Sequence, residues 1–297
     1  MSQHALVFVA SPDDKPAYRE ALLMLGRVAL SRKLPPPEVL AGWESAQWIY
    51  DSVDGELRQE AAAAVAELPV DWALVPVEGR RKKLLIADMD STIINVECLD
   101  ELADFAGIKA EIAAITERAM RGELEFEPAL RERVSKLKGL ARGALQKTYD
   151  ERVRLNPGAA TLVKTMAAHG ARCVLVSGGF TFFTERVAQA AGFHAHRANV
   201  LLDDGATLSG AVQEPILGRK AKLEAMRAEA AVLGLNDKDA LAIGDGANDL
   251  DMIKAAGLGV AYRAKPLVAA EAHAKIDYMS LEAALFFQGY RRGEFVA

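Results

Sequence analysis

Leu84-Leu85-Ile86-Ala87-Asp88-Met89-Asp90-Ser91-Thr92 is the stretch that decides the reading of this chain. Four apolar residues form a buried strand, and they end abruptly in two acids two positions apart. In an open α/β sheet the C-terminal ends of the strands are where ligands bind. Residues i and i+2 lean to the same side of a strand, so Asp88 and Asp90 can serve one crevice. By itself the pair also suits a turn at a strand end, so the rest of the chain has to decide between these readings.

Two later strands end in the same fashion. Arg172–Val176 runs into Ser177-Gly178-Gly179, and Asp239–Ile243 runs into Gly244-Asp245-Gly246-Ala247-Asn248-Asp249. Helical patterns separate the strands: Glu97–Ala106, Thr161–His169, Phe180–Ala191 and Lys220–Leu233. Strands that alternate with helices imply a mostly parallel, doubly wound sheet. In such a sheet the three polar ends lie along one edge. Further strands are expected at Leu258–Ala261 and Ile276–Tyr278, with a hairpin over His196–Gly210 turning at Asp204-Gly205. From Ile108 to Asp150 the pattern stays helical, which predicts an insertion of two or three helices.

The converging residues suit a phosphate. Clustered acids repel unless a cation lies between them. Carboxylate and carbonyl oxygens suit Mg²⁺, with Asp88 and Asp245 as its natural ligands. The Ser177 hydroxyl and the backbone N–H groups around Gly178 can hold phosphate oxygens. Lys222 or Lys220 can neutralise remaining charge. His194 and His196 lie two apart near the hairpin and read as a solvated pair rather than metal ligands.

Together these motifs, Asp88-Met89-Asp90-Ser91-Thr92, Ser177-Gly178-Gly179-Phe180, Lys222 and Gly244-Asp245-Gly246-Ala247-Asn248-Asp249, resemble the four motifs of the haloacid dehalogenase-like (HAD) superfamily, in order. Within it the chain is similar to phosphoserine phosphatases. That likeness extends into the insertion, through Asn95-Val96-Glu97, Ala119-Met120-Arg121-Gly122, Leu124-Glu125-Phe126 and Leu130-Arg131-Glu132-Arg133-Val134, and covers about residues 83–290. The resemblance implies Mg²⁺-dependent hydrolysis of phosphoserine through an aspartyl-phosphate, the last step of serine biosynthesis. It casts Asp88 as nucleophile and Asp90 as general acid and base. The metal would be held by Asp88, the Asp90 backbone carbonyl and Asp245. Ser177, Gly178 and Lys222, which fits the family spacing better than Lys220, would bind phosphate. Glu97 would meet the substrate ammonium and Arg133 its carboxylate, with Met120 and Phe126 as an apolar wall. Asn248 and Asp249 would position the metal's waters or Lys222. The helical insertion, at about residues 97–155, would be a lid.

Residues 1–80 lie outside the resemblance. Ala5–Ala10 reads as a strand, Asp13–Leu30 as a helix, and Val39–Trp43 and Ala46–Tyr50 as strands. Gly55–Leu68 then reads as a helix and Asp71–Val77 as a strand. This β-α-β-β-α-β order is ferredoxin-like, comparable at fold level to ACT-type domains, and predicts a role in homodimerisation or amino-acid sensing. Glu78-Gly79-Arg80-Arg81-Lys82-Lys83 reads as a solvated linker, so the division expected is 1–80 and 81–297.

The 297-residue chain, 51% apolar, can bury two cores. A net charge of −5 with both signs interspersed gives no nucleic-acid footprint. No apolar run approaches a membrane span, and the N-terminus meets charge too early for a signal peptide. Cys98 and Cys173 each sit in apolar surroundings with no metal spacing, which predicts reduced core residues and a cytoplasmic protein. Two rival readings remain open at this point: a phosphatase for another small phosphomonoester, and a non-catalytic amino-acid sensor.

Overall fold

The computed structural model describes residues 3–52 and 54–297. The N-terminal unit comprises β1 (His4–Val9), α1 (Lys15–Ser31), β2 (Glu38–Ala41), β3 (Ser45–Tyr50), α2 (Gly55–Ala64) and β4 (Asp71–Pro76). Its sheet has the order β2-β3-β1-β4 with antiparallel pairing throughout, as a ferredoxin-like order requires. Both helices begin at an aspartate cap: Asp14 accepts from Ala17 N and Asp54 from Leu57 N. The second helix stops at Ala64, short of the expected Leu68.

The body follows with β5 (Leu84–Ala87) and the helical insertion α3 (Cys98–Asp104), α4 (Lys109–Met120), α5 (Phe126–Ser135) and α6 (Gly143–Arg152). It continues with α7 (Ala159–Ala168), β6 (Arg172–Phe180), α8 (Thr181–Ala191), β7 (Ala195–Asn199), β8 (Leu201–Asp203), β9 (Leu208–Val212) and α9 (Arg219–Val232). The last elements are β10 (Ala240–Gly244), α10 (Leu250–Ala255), β11 (Leu258–Tyr262), α11 (Pro266–Glu271), β12 (Ala274–Ile276) and α12 (Ala283–Phe287). Six parallel strands take the order β12-β11-β10-β5-β6-β7. Strand residues alternate between two apolar layers. Leu85, Ala87, Leu175 and Ile243 pack toward α7 and α8, whereas Leu84, Ile86, Val174 and Ala242 pack toward α9 and α10. Among the described residues no helix is long and apolar enough to cross a membrane.

Four expectations are corrected. Ser177-Gly178-Gly179 does not end its strand: β6 runs on to Phe180 through a register shift, and α8 begins at Thr181. The stretch expected as one hairpin divides in two. β7 joins the parallel sheet beside β6, and only β8 and β9 form the hairpin around Asp204-Gly205. The final strand ends at Ile276 because the backbone N–H groups of Asp277, Tyr278 and Met279 turn instead to the buried carboxylate of Asp71 on β4. Arg80 is not a solvated linker charge. It is buried, with Nε on the Phe287 carbonyl (2.6 Å), Nη2 on the Phe286 carbonyl (3.1 Å) and Nη1 on Gln47 Oε1 (2.6 Å). Those carbonyls end α12, where the helix dipole favours a cation.

The two sheets share apolar core. Leu6 and Phe8 of β1 face α1 and α2, while Ala5, Val7 and Val9 join the core of the body. The N-terminal sheet is therefore covered on both faces.

Candidate active site

β5 lies between β10 and β6, so the ends of the three strands meet side by side. The turn after β5 places Asp88 and Asp90 inward, both buried. Within it Ser91 adopts a left-handed backbone, φ +56°, unusual for a residue with a side chain. The Ser91 hydroxyl donates to Glu97 Oε1 at 2.6 Å, which ties the turn to the start of the insertion.

Lys222, one turn into α9, is fully buried. Its Nζ donates to Asp88 Oδ1 at 2.5 Å and to Asp249 Oδ1 at 2.7 Å. Lys220 is exposed, so the structure brings Lys222 and not Lys220 into the cluster. Asp245 accepts from Thr92 Oγ1 at 3.0 Å. Asp249 also accepts from the backbone N–H of Asp245 (3.3 Å) and of Gly246 (3.1 Å), which holds the loop after β10 in shape.

Asp88, Asp245 and Asp249 offer oxygens that all lie within 4.8 Å of one another. With Lys222 as the one cation in contact among the described residues, two negative charges are left uncompensated when all three are ionised. A divalent cation with oxygen preference balances that set. Without one, burial and then the neighbouring Asp249 push the Asp88 carboxyl up to about 7. Burial, Glu97 and Asp88 raise Asp245 well above the carboxylate range. Burial alone would lower the Lys222 ammonium, yet Asp249 and Asp88 hold it above the usual lysine range.

Asp90 is held differently. Its Oδ1 accepts the Cys98 N–H at the start of α3 (2.9 Å), and its Oδ2 accepts from Ser177 Oγ (3.3 Å). Both contacts favour the carboxylate, but burial outweighs them and raises its pKa. Ser177 Oγ in turn accepts from Gly179 N at 2.8 Å. The glycines here permit close approach. A Cβ on Gly178 would overlap the Phe126 ring, and one on Gly179 would come 2.7 Å from Asp90 Oδ2.

Asp88, Asp90, Ser177 and the two glycines line a cavity of about 40 Å³ that also receives Glu97, Met120, Phe126, Arg133 and Asn248. Every residue expected at the site is thus gathered in one place or directly behind it. Burial and then Asp90 push the Glu97 carboxyl up to about 8. Asn248 Oδ1 is buried with no hydrogen-bond partner among the described residues. A buried orphan acceptor beside a cavity marks a place for a ligand or an ordered water.

Sequence reasoning missed four participants. Thr92 supports Asp245, and the Cys98 N–H caps Asp90. Asp100 and Thr116 form a chain with Arg133. Thr92 was visible within the quoted motif, whereas the others depend on how helices α3 to α5 pack. His194 Nδ1 accepts from Cys173 N, and His196 Nδ1 pairs with Thr184 Oγ1, so the two rings are held by separate partners.

The haloacid dehalogenase-like hydrolase family model matches residues 85–254. A phosphoserine phosphatase from Polaromonas sp. (strain JS666) is 47% identical over 205 residues, covering 67% of this chain and 87% of the relative. The crystal structure of a HAD family hydrolase from Salmonella enterica subsp. enterica serovar Typhi superposes with a TM-score of 0.82 at 26% identity, over 97% of this chain and 98% of that one. A phosphoserine phosphatase solved with substrate bound has a TM-score of 0.67 at 37% identity, over 69% of this chain and 98% of its own. The chain belongs to the haloacid dehalogenase-like hydrolases and, among them, to the phosphoserine phosphatase family.

Proposed function

We propose that this protein hydrolyses O-phospho-L-serine to L-serine and phosphate, the last step of serine biosynthesis, in the cytoplasm. One observation carries the reading: Asp88, part of a buried acid and lysine cluster suited to a phosphoryl group, lines the same cavity as Glu97 and Arg133, the pair that an amino acid's ammonium and carboxylate require.

The Asp88 carboxylate attacks phosphorus in line, and the bond from phosphorus to the serine oxygen breaks. Asp90, whose carboxyl burial shifts toward the protonated form, gives its proton to the departing oxygen. The resulting aspartyl-phosphate is then hydrolysed. Asp90, now a carboxylate, takes a proton from water, and that water's oxygen bonds phosphorus while Asp88 leaves. Lys222 stays against the phosphoryl oxygens throughout, and the Ser177 hydroxyl turns its hydrogen from Asp90 to phosphate. Asp88, Asp245 and the Asp90 backbone carbonyl would hold Mg²⁺, with Asn248 and Asp249 orienting its waters. When bound it supplies the charge compensation that lets a phosphate dianion meet a carboxylate.

Arg133 offers planar, bidentate recognition of the substrate carboxylate. Met120 and Phe126 close the apolar side. Helices α3 to α6 act as the lid. Two free, buried cysteines fit a reducing compartment. Any self-association through the N-terminal unit would use α1, α2 or the edge strand β2, because its other sheet face packs on the body.

Phosphate release from phospho-amino acids and sugar phosphates, with and without Mg²⁺, tests the proposal. Phosphoserine should be preferred, Mg²⁺ required and Asp88→Asn inactive. A sugar phosphate cleaved faster than phosphoserine would refute the substrate assignment.

A further inference from the structure

Arg133 is buried on α5, yet no carboxylate touches it among the described residues. Its Nε donates to the Ala129 carbonyl at 3.1 Å, one turn back on its own helix. Its Nη1 donates to Thr116 Oγ1 at 2.8 Å. Thr116, buried on α4, donates that hydroxyl to Asp100 Oδ1 at 2.6 Å, and Asp100 is itself buried on α3. The Ile112 carbonyl lies farther from the same hydroxyl, at 3.1 Å. A hydroxyl has one hydrogen and two lone pairs. With its hydrogen directed to the nearer, charged acceptor, Thr116 presents a lone pair to Arg133.

We infer that Thr116 and Asp100 are positioning residues for recognition of the substrate carboxylate, acting through Arg133; this rests on Arg133 being the group that binds that carboxylate. A guanidinium paired directly with Asp100 would spend its fork of donors on the protein. With a threonine hydroxyl between them, the negative charge remains close enough to make a buried cation tolerable. The fork is only partly spent: Nη2 has no protein partner among the described residues, and Arg133 lines the cavity. The backbone contact at Nε and the hydroxyl contact at Nη1 fix the guanidinium at two points, which sets the plane of the remaining N–H groups. The chain joins three successive lid helices, so the orientation exists only when α3, α4 and α5 are packed together.

The test compares phosphoserine with O-phosphoethanolamine, which keeps the phosphate and amine but lacks the carboxylate. Arg133→Ala is the control for the underlying reading: it should raise KM for phosphoserine and leave phosphoethanolamine nearly unchanged. Thr116→Val removes the hydroxyl at almost constant volume. It should raise KM for phosphoserine roughly tenfold or more, the scale of a hydrogen bond to a charged group. It should leave kcat within about threefold and phosphoethanolamine unaffected. Thr116→Ser should restore KM. Asp100→Asn, which keeps an acceptor but removes the charge, should give a smaller rise of the same selectivity and serves as a second variant if Thr116→Val folds poorly. If Arg133→Ala is selective while Thr116→Val or Asp100→Asn leaves phosphoserine KM unchanged, or impairs both substrates alike, the positioning role is wrong and the Arg133 reading survives. If Arg133→Ala is itself unselective, the Arg133 reading fails, and the positioning role with it.

Discussion

Lys222 Nζ stands 2.5 Å from Asp88 Oδ1, with both side chains out of reach of solvent. In the resting site this ammonium offsets the nucleophile's own charge. During transfer the same group lies beside the oxygens onto which charge moves. Lys222→Met should therefore lower kcat by roughly 100-fold or more, the scale of a lost electrostatic stabiliser. It also leaves Asp88 and Asp249 without their cation, at a cost of about 3–5 kcal/mol in stability. Steady-state phosphate release and urea unfolding, each with and without Mg²⁺, measure the two effects. A variant with near-normal kcat would exclude this role for Lys222.

Gly178 meets Phe126 of the lid so closely that a methyl group cannot fit between them. Gly178→Ala should hold the lid ajar, lowering kcat/KM for phosphoserine by about tenfold or more. Trimming Phe126 should relieve the clash. In a double-mutant cycle Gly178→Ala with Phe126→Leu should recover activity relative to Gly178→Ala alone. Additive losses would show that the contact does not govern closure.

Cation binding should register without any turnover. The acids at the site are raised by burial and by one another, and a bound divalent ion favours their ionised forms. Millimolar Mg²⁺ should raise the melting temperature of the chelator-treated protein, and Asp245→Asn should abolish most of that rise. An equal rise in the variant would place the ion elsewhere.

Much of this site was legible in residues 84–92 and in the loops after β6 and β10, because strand ends in a parallel sheet must converge. Lys222 over Lys220 could be read only through family spacing, and the fold resolves it by facing one lysine inward. Asp100 and Thr116 gave no sequence signal. Each is an ordinary residue on an amphipathic helix, and its partner is set by how three helices cross. Arg80 was misread because a basic run usually means solvent, whereas the bare carbonyls at the end of α12 offer a buried cation a place. The continuous apolar run Ala5–Ala10 did carry an unread signal. A strand exposed on one face would alternate with polar residues, so this run already implied two covered faces.

Asp71 links pH to the junction between the two sheets. Burial pushes its carboxyl up to about 6, although it accepts N–H groups from Asp277, Tyr278 and Met279. The folded protein then retains a proton at a pH where the unfolded chain has lost it. The stability due to this group is thus greatest below about pH 4 and falls as pH rises through about 6. The full difference is on the order of 3 kcal/mol. The stability of the natural protein relative to Asp71→Asn should decline between pH 4 and 7 in paired urea titrations. A relative stability that climbs over that range would mean the backbone donors outweigh burial.

The covered inner face of the N-terminal sheet bears on how this protein can vary. Ala5, Val7 and Val9 are walls of the same apolar interior that β5 and α12 help to build. A descendant that discarded its first eighty residues would expose that interior to water. It would survive only by acquiring polar side chains along α12 at the same time. Substitutions on either side of the seam should therefore be accepted only in matched sets.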